Sequence, residues 1–268
     1  MRSTALVALN VFRECVRDKV LYNLVAFAVM LIAASFLIGQ LTAGQDVKII
    51  KDLGLASISL FGLLIAVFIG IGLVWKEVEK RSIYSLLTKP ISRAQFVLGK
   101  YCGLLLTLIV NVAVMSVALY AVLGYMQWGA TPEMRAAWVY PATDPVLLKA
   151  IVLIVVELAL VTALALFFST FSSPFLSALL TMALWAIGQL SADFRNLGAA
   201  LESPVVGWLG RVLYYAFPNF AALDIKAQVV TGVPVPMAYL LTMAAYGAMY
   251  VALVLVAAVT IFTRRDFK

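Results

Sequence analysis

Residues 151–168 read IVLIVVELALVTALALFF, an apolar run whose one charged residue is Glu157. A helix needs about twenty such residues to cross the roughly 30 Å hydrocarbon core of a bilayer, and apolar flanks extend this run to 146–170. Of the 268 residues in the chain, 64% are apolar and 12% charged, and the mean hydropathy is +1.04. This composition excludes a soluble domain with a solvated surface. The sequence therefore predicts an all-α integral membrane protein, with a single transmembrane domain over residues 1–268.

Six apolar stretches are interpreted as transmembrane helices. They cover residues 20–41, 54–75, 101–126, 146–170, 174–191 and 239–262. A seventh stretch, 205–217, is short for a crossing and contains Arg211, so it suits an interfacial or re-entrant helix better. We expect an outer re-entrant helical hairpin within 192–238, between spans five and six.

The orientation follows from the basic residues. With six spans, most of the Lys and Arg residues fall in the N-terminal segment, the segment between spans two and three, and the C-terminal segment. Such segments remain in the cytoplasm. We therefore expect a multi-pass protein of the bacterial inner membrane with both termini cytoplasmic. The net charge of +7 is explained by this topology and is not a nucleic-acid signal.

The N-terminal segment, 1–19, is expected to be an amphipathic helix on the membrane surface. Leu6, Leu9, Phe12 and Val16 recur at three- and four-residue spacing, which places them on one face. Such a helix would lie in the lipid headgroup region. The alternative is a cytoplasmic extension of the first span. No cleavable signal peptide is expected, because the first nineteen residues contain no unbroken apolar core.

A charged element separates spans two and three. The pattern predicts a short helix over 77–88, in which Ile83, Tyr84 and Leu87 form the apolar side, and Pro90 ends it. Ser92 followed by Gln95 predicts a capping box, so that a new helix begins at Arg93 and continues into the third span. Physical reasoning leaves two interpretations of this cytoplasmic coupling region, 77–98. It either docks into a groove on another protein or rests on the lipid surface.

A family resemblance favours the docking interpretation. The run EVEKRSIYSLLTKPISRAQFVLGKYCGLLL, 77–106, resembles the signature between spans two and three of ABC transporter permeases of the type-two exporter class. FFSTFSSPF, 167–175, and the terminal RRDF, 264–267, are similar to other parts of that class, although Arg81 stands where a glycine is usual. YYAFPNFAALDIKAQVVTGVPV, 214–235, is similar to an outer segment of the multicopper-enzyme-maturation group, which includes the permease of nitrous oxide reductase assembly.

The resemblance implies a homodimer of six-span subunits with two copies of a separate ABC ATPase, which would hold ATP and Mg. The residues expected to couple this chain to that ATPase are Glu77, Glu79, Ile83, Tyr84, Leu87, Pro90 and Arg93. The expected function is export of a small solute or sulfur species toward a periplasmic acceptor protein or an enzyme-maturation system. The substrate itself stays open.

Enzymatic activity on this chain is not expected. It has no G-x-x-x-x-G-K-[ST] phosphate loop, so ATP hydrolysis would occur on the partner. The absence of histidine excludes a Ser-His dyad and a His-x-x-x-His zinc site, and no catalytic or metal-binding residue is predicted. The alternative function is an ion-coupled secondary transporter, or a channel-like protein without an ATPase.

Glu157 is the one ionisable residue at the centre of a predicted span. A charge there costs about 3 kcal/mol on insertion scales, so the carboxyl must be protonated, paired or facing a polar cavity. One hypothesis places it on the translocation path or at the dimer seam. The other is a protonated carboxyl bonded to Ser, Thr or backbone on a neighbouring helix. Gly99 and Gly103 form a G-x-x-x-G pair that marks a close helix contact.

Overall fold

The computed structural model describes residues 2–41, 46–79, 92–138, 140–191 and 217–264, together with 208, 210, 212 and 214, with the backbone alone for 2, 3, 73–79, 137 and 264. Every regular element in these ranges is helical. The α-helices there are α1 (Arg2–Val16), α2 (Lys19–Gln40), α3 (Asp46–Glu79), α4 (Arg93–Gly129), α5 (Pro132–Ala137), α6 (Leu147–Ser169), α7 (Pro174–Gln189), α8 (Lys226–Val230) and α9 (Met237–Arg264). A short 3-10 helix, Ala221–Leu223, precedes α8.

Five of these described helices are long and apolar enough to cross a membrane. In chain order they are α2, the Asp46–Gly72 part of α3, α4, α6 and the Met237–Thr263 part of α9. They correspond to predicted spans one, two, three, four and six. The predicted fifth span, 174–191, is the apolar helix α7, whose 16 residues are fewer than the about twenty that a perpendicular crossing needs. The all-helical membrane fold is confirmed. The sixth crossing stays a prediction.

The second span begins earlier than its hydropathy predicts. Helix α3 starts at Asp46 instead of Gly54, and it includes Lys51, which is 1% exposed. The Lys51 ammonium donates a hydrogen bond to the Pro141 carbonyl oxygen at 2.9 Å. Because this carbonyl accepts a hydrogen bond from the buried ammonium, Lys51 can lie inside the protein, whereas Lys48 and Asp52 of the same turns are exposed.

Helix α6 forms the centre of the bundle, with α3, α4, α7 and α9 packed around it. Small residues let two of these neighbours approach closely. A Cβ atom added at Gly62 of α3 would lie 2.4 Å from Leu158, and one added at Gly247 of α9 would lie 2.3 Å from Val156. Real Cβ atoms do not approach that closely, so a side chain at either position would require Leu158 or Val156 to shift. Glu157 therefore lies on a helix that is surrounded by α3, α4, α7 and α9.

Helix α1 packs against the first turns of α4. A Cβ added at Gly99 would lie 2.7 Å from the Val7 Cβ, and one added at Gly103 would lie 2.7 Å from the Val11 Cβ. One turn further along α1, Cys15 is also buried. The G-x-x-x-G pair therefore contacts a helix of its own chain.

The opposite side of α1 carries the residues predicted to contact lipid. Leu6 and Leu9 are 67% and 47% exposed, which leaves them available to lipid, whereas Phe12 and Val16 are partly covered. Asp18 then accepts a hydrogen bond from the Val20 amide at 2.9 Å and caps α2. Since α1 ends before this cap, it is a separate helix and not an extension of the first span.

A loop layer, defined as residues 140–146 and 217–236, covers the end of the bundle opposite to α1. Its anchor is Phe220, which is fully buried and whose amide donates to the Gly188 carbonyl oxygen at 3.1 Å. The Lys149 ammonium of α6 donates to the Val235 carbonyl oxygen at 2.6 Å. The layer is thus held to α6 and α7 by backbone and lysine hydrogen bonds. Within the predicted re-entrant hairpin, 192–238, residues 192–207, 209, 211, 213, 215 and 216 lie outside the described residues, so the hairpin stays a prediction.

Substitution of Gly103 by leucine is expected to displace α1. Burial raises the pKa of the Cys15 thiol to about 11, so little reactive thiolate is present at neutral pH, and its side chain is 1% exposed. In a Cys102→Ser background, Cys15 should therefore resist a maleimide in the parent protein and react in the Gly103→Leu variant. Gly124→Leu is the matched control on the same helix, because nothing lies within 4 Å of a Cβ at that position. Equal labelling of all three proteins would contradict the packing described here.

Candidate functional site

The structure describes only some of the residues that are predicted to couple this chain to an ATPase. Ile83, Tyr84, Leu87 and Pro90 lie outside the described residues. Glu77 and Glu79 belong to the last turn of α3, where the backbone alone is described, and Arg93 is the first residue of α4. The two long helices α3 and α4 therefore flank the coupling region on both sides.

The start of α4 is firmly fixed. The Gln95 amide donates to the Ser92 hydroxyl at 3.2 Å, and the Ser92 amide donates to the Gln95 side-chain oxygen at 3.2 Å. This confirms the capping box predicted from the sequence. Two otherwise unpaired amide groups at the helix start are thereby satisfied, so α4 has a defined first turn.

Arg93 connects this first turn to the last transmembrane helix. One guanidinium nitrogen, Nη1, donates to the carbonyl oxygens of Phe262 and Thr263 at 3.2 and 3.0 Å. The Phe96 ring stacks on the Phe262 ring with centroids 5.9 Å apart. A cation at the carboxyl end of a helix is favourable because the last carbonyl groups lack intrahelical partners. The beginning of α4 and the end of α9 are therefore joined by hydrogen bonds and by ring stacking.

Glu157 lies near the middle of α6 with 2% of its surface exposed. Its Oε1 atom accepts two hydrogen bonds, from Trp185 Nε1 at 2.8 Å and from Gln189 Nε2 at 2.9 Å. Both donors belong to α7 and are four residues apart, which places them on one face of that helix. One carboxylate oxygen thus joins the central helix α6 to the short helix α7.

The second oxygen of Glu157, Oε2, is buried and has no hydrogen-bond partner among the residues that the structure describes. The charges of Lys226 and Asp224 act on this carboxyl from the loop layer. The Lys226 ammonium donates to the Ser59 hydroxyl at 3.1 Å and forms an ion pair with Asp224 at 3.2 Å. We refer to Glu157, Trp185, Gln189, Lys226 and Asp224 as the Glu157 cluster.

The sequence predicted Glu157 but not its partners. A polar partner on a neighbouring helix was expected to be Ser, Thr or backbone, whereas the structure has an indole and an amide. The spacing of Trp185 and Gln189 in PFLSALLTMALWAIGQ would have been a usable signal, since two hydrogen-bond donors four residues apart lie on one face of a helix. Nothing in the sequence connects Lys226 to residue 157, because that proximity depends on how the loop layer folds.

These features define a class of protein: a multi-pass helical membrane protein with a polar cluster inside its helical bundle. A family model described as ABC-2 family transporter protein matches residues 5–267. The chain belongs to this family. A comparison with curated proteins found no match. Family membership makes the chain a permease subunit of an ABC transporter, which works with a separate ABC ATPase.

Proposed function

We propose that this chain forms a homodimeric exporter, in which two ATPase subunits dock on the coupling region 77–98 and drive a small solute or sulfur species toward a periplasmic partner or an enzyme-maturation system. In this proposal the protein lies in the bacterial inner membrane with six spans and both termini in the cytoplasm. The link to the group that includes nitrous oxide reductase assembly rests on the resemblance of residues 214–235. The permease role itself follows from the family.

The proposed coupling is supported by the length of α3 and α4, the two helices on either side of the coupling region. Helix α3 has 34 residues and α4 has 37, so at about 1.5 Å per residue each measures roughly 50 Å, against roughly 30 Å of hydrocarbon. Each can therefore continue beyond the bilayer without a break. A force applied between Glu79 and Ser92 would act directly on both spans.

The contacts of Arg93 extend this mechanism to a third helix. Because its guanidinium holds the end of α9, movement of the first turn of α4 would move α9 as well. Packed helices shift as units because their cores do not deform continuously. In the proposed cycle, ATPase closure displaces α3, α4 and α9 together.

Glu157 is proposed to face the solute path or the dimer seam once α7 moves. The support is the position of α7, since Phe175 and Leu179 are 80% and 55% exposed on a helix that covers a buried carboxyl. Those exposed side chains would contact lipid or a second copy of this chain. Displacement of α7 would remove both donors from Glu157 Oε1 and expose the carboxyl.

Co-purification with the ATPase tests the coupling region. In the Ile83→Asp plus Leu87→Asp variant, two charges replace the predicted apolar docking face, so we expect the ATPase to be lost while the permease remains folded. The matched control is Ser82→Asp plus Ser85→Asp, which adds the same charge to the same predicted helix away from that face. If the ATPase binds both variants as it binds the parent protein, the docking role of 77–88 is wrong.

A further inference from the structure

A cavity of about 200 Å³ lies at the corner between α1 and α2. We call it the corner cavity, and it is bounded by Glu14 near the end of α1, Asp18 in the turn, Val20 at the start of α2, and Phe68 and Gly72 of α3. A Cβ atom added at Gly72 would meet nothing within 4 Å, which agrees with open space beside this residue. Because sites for whole small molecules measure about 300–1,000 Å³, the corner cavity suits a smaller group such as a lipid headgroup.

The corner cavity lies where two transmembrane helices reach the membrane boundary. Helix α2 enters the bilayer directly after its cap at Asp18, and the apolar part of α3 extends to Gly72. Val20 and Phe68, one on each of these helices, are 53% and 57% exposed, so both present apolar surface to lipid beside the cavity. A molecule with an apolar tail can therefore place its polar group in the cavity and its tail along α2 and α3.

Charges of both signs surround the corner cavity. Glu14 and Asp18 line it, and the Asp18 carboxylate is held in position because it accepts the Val20 amide at 2.9 Å. Arg17 and Lys19 flank Asp18 in the chain, and both are exposed. A headgroup that carries one cation and one anion complements this arrangement, since the carboxylates attract its cation and the basic side chains attract its phosphate.

The two carboxylates favour a cation that donates hydrogen bonds. A primary ammonium group has three donors, of which two can reach carboxylate oxygens while water at the exposed Glu14 accepts the third. A trimethylammonium group has no donor and is recognised by cages of aromatic rings, whereas Phe68 is the one ring among the described residues that line the cavity. A metal ion needs more ligands, and the described part of the chain contains no group of three or more His, Cys, Asp or Glu side chains that could hold one.

We propose that the corner cavity binds a phospholipid with a phosphoethanolamine headgroup. Its ammonium group contacts Glu14 and Asp18, its phosphate contacts Arg17 and Lys19, and its acyl chains lie along α2 and α3. The bound lipid would join α1, α2 and α3 just before α3 reaches the coupling region. This proposal requires neither the ATPase nor a particular solute, so its failure would leave the proposed function unchanged.

Native mass spectrometry of the purified permease tests this proposal, because each bound phospholipid is recognised by its mass. The parent protein is titrated with phosphatidylethanolamine, phosphatidylcholine and phosphatidylglycerol of equal acyl chains. Glycerophosphoethanolamine, which has the headgroup without acyl chains, is then added as a competitor. We expect phosphatidylethanolamine to bind about tenfold or more tightly than the other two lipids, because only its headgroup forms charge-assisted hydrogen bonds with both carboxylates.

Two variants change the corner cavity in different ways. Gly72→Leu fills it without a clash at the Cβ atom, and Gly124→Leu is the matched control because a Cβ there also meets nothing within 4 Å. Glu14→Gln plus Asp18→Asn removes both charges, while asparagine caps a helix about as well as aspartate does. Its matched control removes two exposed carboxylates elsewhere, in Asp52→Asn plus Glu133→Gln.

Both cavity variants should lose the tenfold preference for phosphatidylethanolamine, and both controls should keep it. Equal binding of the three lipids by the parent protein would overturn the proposal, as would an unchanged preference in either cavity variant. If glycerophosphoethanolamine competes as well as the intact lipid, the membrane source is wrong. The comparison of lipids on the parent protein needs no variant, so it decides even if a variant does not fold.

Discussion

Replacement of Gly188 by valine is expected to detach the loop layer from α7 and to lower thermal stability. A Cβ at this position would lie 2.3 Å from the Phe220 ring and 2.5 Å from the Pro218 carbonyl oxygen. The Phe220 amide that donates to the Gly188 carbonyl oxygen would have to move away. Overpacking of this kind costs about 1–3 kcal/mol, and the lost hydrogen bond adds to it.

The effect should extend to the Glu157 cluster, because Gln189 follows Gly188 directly and donates to Glu157 Oε1. Thermal unfolding in detergent measures the stability, and ATP hydrolysis by the assembled complex measures the function. Gly129→Val is the matched control, since Gly129 also ends a helix and a Cβ there would meet nothing within 4 Å. Similar unfolding temperatures for the two valine variants would show that the Phe220 contact contributes little.

Replacement of Arg93 by alanine is expected to separate ATP hydrolysis from transport. The change removes a guanidinium that donates to two carbonyl oxygens at the end of α9, and hydrogen bonds to charged groups contribute about 1.5–3 kcal/mol each. Without this connection, displacement of α4 would move α9 less, because the stacked Phe96 and Phe262 rings remain but the hydrogen bonds to the helix end are lost. We expect the ATPase to remain bound and active, while transport falls on the order of tenfold or more.

Arg93→Lys distinguishes the geometry from the charge. A lysine keeps a cation near the last carbonyl groups but lacks the planar guanidinium, so it should restore transport partly. Solute flux into inverted vesicles, divided by the ATP hydrolysed in the same vesicles, is the quantity to compare. An unchanged ratio in Arg93→Ala would mean that the contact between α4 and α9 has no part in coupling.

The parts of the fold that depend on local sequence were predictable. Long apolar runs predicted the helices that became α2, α4, α6 and α9, because helix length and bilayer thickness are related by simple geometry. The start of α4 was predictable to the residue, since the side-chain oxygens of Ser92 and Gln95 accept hydrogen bonds from each other's backbone amides within one turn.

The parts that depend on contacts between distant residues were not predictable. Lys51 lowers the hydropathy of its segment, and only the Pro141 carbonyl oxygen from another part of the chain explains why α3 includes it. The identity of the partners of Glu157 likewise depends on the packing of α7 against α6. Gly99 and Gly103 correctly indicated a close contact, but their spacing does not say which helix lies against them.

The docking of α1 on α4 has a consequence for biogenesis. During synthesis α1 leaves the ribosome before α4, so the surface that Gly99 and Gly103 provide is made only after the helices α2 and α3 have been completed. Until then its apolar side, with Val11 and Cys15, has no protein partner and must rest on the membrane surface or on a chaperone. The docking of α1 therefore requires the third span to be present. Protection of Cys15 from a thiol reagent during translation would show when α1 packs against α4.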